Sequence, residues 1–133
     1  MHKLRQKTFV LLAVLGISGV AHSALVLSAD EEIRQEEIAG ICMLASSGVY
    51  EMAIDRQNGV DKEKAKKNLA KELKKIEKNF KDQDLVAFID ETWNNGLSVI
   101  YKMPVYDDRE DKESFISQAV NASFLSCFND LDN

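Results

Sequence analysis

Few side-chain types carry proton transfer, metal ligation or thiol chemistry near neutral pH. This sequence of 133 residues holds them sparingly, with two histidines and two cysteines. His2 and His22 both fall in an N-terminal stretch that reads as a cleavable export leader, so the chain beyond it has no imidazole. Histidine is the side chain whose free pKa suits general acid–base work, and it is the commonest metal ligand. Without it neither a Ser-His-Asp nor a Cys-His nucleophile can be assembled, nor a His-ligated catalytic zinc. Carboxylates such as Glu37, Asp90 and Glu91 are the remaining candidates for general acid or base. A carboxylate pair can hydrolyse glycosides, but no aromatic platform for a sugar accompanies them. Asp107, Asp108, Glu110 and Asp111 could offer oxygen ligands to calcium. Their spacing does not match an EF-hand loop and no glycine supplies its turn, so a solvated loop leading into a helix is the reading. The expectation is a protein that is not an enzyme, with no catalytic residue, metal or cofactor.

Cys42 and Cys127 can do one piece of chemistry with each other. In an oxidising compartment an even cysteine count in a small domain reads as a disulfide, and one intramolecular pairing exists. Closing that loop is worth on the order of 4 kcal/mol in the chain-entropy model.

Two sets of residues could bind a partner. From Asp61 to Lys81 there are nine lysines against four acids, with Lys67, Lys71, Lys74 and Lys78 at helical spacing. They could dock on an acidic partner or on the carboxylates of peptidoglycan. Equally, they could form a solvated face supported by near-neighbour pairs such as Glu63 with Lys67. The second set is Trp93, Tyr101, Met103 and Tyr106, on or near an irregular stretch around the sole proline, Pro104. Aromatic residues and methionine are enriched in interface cores; the competing reading for Trp93 is that it fills the core. Asn121-Ala122-Ser123 fits the glycosylation pattern but falls inside an expected helix and is discounted.

The elements that must position these groups are helical. Ile38, Ile41, Ala45, Val49 and Met52 draw one apolar stripe in a helix from about Asp30 to Gln57. Acids crowd its start, and Asn58-Gly59 closes it. The small residues Ala39, Gly40, Ala45, Ser46, Ser47 and Gly48 would let another helix approach closely. Asp61 suits an N-cap for a second helix, Lys62 to Phe80, striped by Ala65, Leu69, Leu73, Ile76 and Phe80. A third runs from about Asp84 to Tyr101 with Leu85, Phe88, Ile89, Trp93, Leu97, Ile100 and Tyr101, and a fourth from about Lys112 to Phe128 with Phe115, Ile116, Ala119, Val120, Phe124 and Cys127. Short links favour antiparallel neighbours. The expected fold is all-α, a four-helix up-down bundle with one disulfide linking first and last helices.

Where this domain works is read from the start of the chain. Lys3, Arg5 and Lys7 precede an apolar run from Phe9 to Val20, followed by Ala21 and Ser23 at the −3 and −1 positions of a signal cleavage site. The run is about a dozen residues, short of the roughly 20 that span a bilayer, and no later segment reads as long and apolar enough. Residues 1–23 are therefore expected to be a cleavable signal peptide of bacterial style, and 24–133 a single helical domain in the periplasm or medium. Removing three basic residues from the 17 basic and 22 acidic of the whole leaves a net −8. That balance argues against broad affinity for nucleic acid or anionic membrane. In architecture and export alone, the chain resembles a broad group of small two-cysteine helical periplasmic proteins, which includes immunity proteins and acid-stress chaperones. No motif carries functional residues across. The function expected is a non-enzymatic, protein-binding protein of the envelope, an inhibitor or immunity protein. The alternative is a stress chaperone or structural envelope protein. The partner is expected to be another protein, with no nucleic acid and no stable membrane anchor, and a homodimer stays open.

Overall fold

A computed structural model describes residues 28–133; the expected leader, with both histidines, lies outside them. Four helices follow in order: α1 (Ala29–Gln57), α2 (Lys62–Asn79), α3 (Gln83–Ile100) and α4 (Arg109–Asp132). There is no strand among the described residues. Each helix starts where a short polar side chain can accept from a free backbone N–H. Ser28 Oγ accepts from Glu31 N, Asp61 from Lys64 N, Asp82 from Asp84 and Leu85 N, and Asp108 from Glu110 N. The cap at Asp108 starts α4 three residues before the expected Lys112. Part of the acidic run thus belongs to a helix start, where Glu110 and Asp111 face the positive end of the dipole. Gly59, at φ 78°, makes the turn after α1.

Of the described residues, those through Glu36 belong to one unit and Glu37–Asn133 to a second. In the first, the start of α1 is exposed, with Arg34 3.8 Å from Glu31. The second is the bundle. Val49, Met52, Leu69, Ile89, Trp93 and Leu97 form its main buried cluster, and Ile38, Cys42, Ala45 and Cys127 form a smaller one. Tyr101 at the end of α3 bonds Val60 just before α2, while Trp93 and Gly96 of α3 meet Gly48 and Met52 of α1 in the same order; α1 and α3 therefore run one way and α2 the other, giving the up-down order. Cys42 and Cys127 are joined (S–S 2.06 Å), tying the first helix to the last.

Two details depart from the expected stripes. Phe80 closes α2 in an extended conformation and stays 41% exposed, while Val86, absent from the expected stripe of α3, is buried. One broader expectation also falls. By length and composition α1 is apolar enough to cross a membrane, although 44% of its most apolar window is buried. Its sequence is uncharged from Ile38 to Tyr50 because one face of that run meets the core while the other, with Met43 and Tyr50, remains apolar and exposed.

Candidate functional site

The residues singled out for binding separate into three sets. Trp93 lies in the core at 3% exposure, its Nε1 donating to Ala45 O at 2.8 Å. It approaches α1 where Gly48 leaves room: a Cβ there would overlap the indole Cε2 and Nε1. As a direct partner contact Trp93 has almost no surface to offer.

Tyr101, Met103 and Tyr106 belong to a connector held by the end of α1. Arg56 donates through Nε and Nη2 to Met103 O (2.9 and 2.7 Å), and its guanidinium lies 5.3 Å from the centre of the Tyr101 ring. Gln57, buried at 2% exposure, donates to Pro104 O at 3.0 Å and accepts from Tyr106 N at 2.9 Å. Its own carbonyl accepts from Lys112 Nζ at 3.0 Å. The Tyr106 ring packs 5.9 Å from Phe115, and Tyr101 donates its hydroxyl to Val60 O at 2.9 Å. Burial first, then the carboxylate of Asp55, holds the Tyr101 hydroxyl above its ordinary pKa; Arg56 opposes this and Asp61 adds to it. A phenol kept protonated is a phenol kept as a donor. These side chains fasten the connector to the bundle, and Met103 is the one of the three classed as exposed.

The lysines differ. Ala65, Leu69 and Ile76 are buried and fix which face of α2 looks inward. At 100° per residue, Lys67, Lys71, Lys74 and Lys78 then share the opposite face, and all four are exposed. Their backbone span is about 16 Å at 1.5 Å per residue. Among the described residues no carboxylate pairs with any of the four. Glu63 and Lys67 form no ion pair, and the contact present on α2 is Lys75 Nζ to Glu72 Oε1 at 2.8 Å. Lys67 with Lys71, and Lys74 with Lys78, are instead like charges four residues apart, each unfavourable by a few tenths of a kcal/mol.

The carboxylates are dispersed. Glu37, Asp90 and Glu91 are exposed, and Asp90 accepts from Asn94 Nδ2 at 3.1 Å. No group of three or more metal-ligating side chains gathers among the described residues.

Sequence reading missed a groove. Between α1 and α2 lies a concavity of about 630 Å³, lined by Leu44, Ser47 and Tyr50 of α1, by Ile76 of α2 with Phe80 at its end, and floored by Trp93. The signal for it was present: an uncharged run longer than one buried face requires, and an aromatic at the very end of the stripe of α2.

Fold and surface together define a disulfide-clamped, all-helical bundle with a cationic outer face on an acidic chain. Comparison with known protein families, curated proteins and solved structures returns no match.

Proposed function

We propose that this is an exported, non-enzymatic binding protein of the bacterial envelope. It docks an acidic partner protein on the outer face of α2, in the manner of an inhibitor or immunity protein. The observation that carries this reading is the lysine stripe Lys67–Lys71–Lys74–Lys78, fully displayed and unpaired although the chain is rich in carboxylates. Glu63 and Glu77 stand four and three residues from Lys67 and Lys74, yet neither forms an ion pair with them, which leaves the charge of the stripe open to a partner. The intramolecular disulfide supports export, since such bonds persist in oxidising compartments.

A membrane surface is the less favoured docking partner. A basic amphipathic helix binds lipid by sinking its apolar face, and here that face, Ala65, Leu69 and Ile76, is already occupied by the bundle.

A photo-crosslinking amino acid placed at Lys71 in producing cells should yield a discrete adduct with another protein. The same amino acid at exposed Asn121 on α4 should yield none, and reversal of Lys67, Lys74 and Lys78 to Glu should abolish the adduct. Adducts equally abundant from both positions, or unaffected by charge reversal, would overturn the proposal.

A further inference from the structure

The stripe gives a partner charge to meet but no place to be held. Beside it lies the α1–α2 groove, whose lining includes Lys71 and Lys75, so the two surfaces share an edge. The groove is polarised along its length. Toward the α1–α2 turn its α1 wall carries Glu51 and Asp55, whereas Glu72, midway along α2, is paired with Lys75 at 2.8 Å. Toward the other end the lining includes Leu44, Ile76, Phe80 and Trp93, with Lys75 and Asn79 at the α2 edge and Ser47 too small to fill the space.

Tyr50 and Phe80 at its rim are 48% and 41% exposed. Burying a side chain of that size is worth about 1.5–3 kcal/mol, and this chain leaves both partly in water at the edge of one concavity. An apolar centre bordered by charge is the anatomy of a protein interface, and anchor side chains seated in preformed pockets dominate such interfaces.

We infer that the apolar end of this groove seats one large apolar side chain, aromatic or branched aliphatic, from an acidic polypeptide segment. The segment's carboxylates run along Lys67, Lys71, Lys74 and Lys78. Glu51 and Asp55 on the α1 wall repel a segment lying wholly in the groove, so the acidic residues follow the outer stripe and the anchor alone turns inward. This assignment rests on reading the stripe as a docking face and adds the chemistry that the partner must present.

Trp93 is the sole tryptophan of the chain, so its emission reports on the groove directly. Two synthetic peptides of Asp and Ser, identical except for a central Phe or Ala, are titrated onto the purified exported protein. The Phe peptide should bind at least tenfold tighter and shift the Trp93 emission. Ser47→Phe, which fills the groove from an exposed position and leaves the charge of all four stripe lysines in place, should bring the Phe peptide down to the affinity of the Ala peptide. Phe80→Ala, at an exposed position, should cut the advantage of Phe severalfold even if Ser47→Phe perturbs folding.

Equal affinity for the two peptides, with Trp93 unmoved, would overturn the groove assignment and leave the docking face standing. Binding of both peptides undiminished by Glu at the four lysine positions would overturn both. So would a preference for vesicles of phosphatidylglycerol over either peptide.

Discussion

Gly48 and Gly40 show how one residue type acts in opposite senses on a single helix. A side chain at Gly48 would overlap the Trp93 indole, whereas a Cβ at Gly40 would have nothing within 4 Å. Gly48→Ala must therefore push Trp93 out of its bond to Ala45 O or move the helices apart, an overpacking error that costs about 1–3 kcal/mol. Gly40→Ala only relieves the helix of a glycine, a gain of up to about 1 kcal/mol. Thermal unfolding followed by Trp93 emission should place the midpoint of Gly48→Ala below wild type and that of Gly40→Ala at or above it. Equal midpoints would mean that the indole does not rest on Gly48. In the sequence both glycines sit in the same run of small residues. Which of them admits another helix depends on the rotation of α1, and that is set by contacts from α3 lying more than 40 residues away.

At the scale of elements, helix number and order were legible, and so was the start of α2 after Asp61, because an aspartate cap and three- and four-residue apolar spacing are local signals; the start of α4 after Asp108 was not read. The stretch from Tyr101 to Arg109 was not. Its aromatic residues and proline read as a binding loop, yet Gln57 and Arg56 hold its backbone from 47 to 49 positions away. No local pattern announces such a partner. The α1–α2 groove escaped notice for a related reason: Phe80 continues the apolar spacing of α2, but the helix ends at Asn79 and the ring turns to the rim. The connector's dependence on Gln57 is open to test. Gln57→Leu keeps the apolar bulk but removes the acceptor for Tyr106 N and the donor for Pro104 O. A polar group stripped of its partner in this way costs about 1–3 kcal/mol. Urea unfolding should show that loss, and the Tyr106 amide should exchange with solvent faster than in wild type while amides of α2 and α3 are unchanged. Unaltered protection at Tyr106 would mean that the connector is held by its rings alone.

Over the whole bundle, buried area and covalent linkage are distributed unequally. α1, α2 and α3 supply the main core, whereas α4 has Cys127 as its one fully buried side chain, with Phe115, Ile116, Phe124 and Phe128 only half covered. A helix so lightly buried leans on its crosslink. The bond spans 85 positions, and a loop of that length restrains the unfolded chain by on the order of 4 kcal/mol, a large share of the 5–15 kcal/mol typical of a domain. The joint replacement Cys42→Ser and Cys127→Ser should therefore lower the midpoint by roughly 15–30 °C, at about 4–8 °C per kcal/mol for a domain of this size. The loss should also be uneven. Hydrogen exchange in the variant should rise first in α4 around Cys127 and last in α3 around Ile89 and Trp93, because those two side chains lie in the main cluster with α1 and α2 rather than in the one around the crosslink. If α4 stays as protected as α3 once the sulfurs are gone, its half-buried rings suffice to hold it, and the disulfide serves only to limit the unfolded chain.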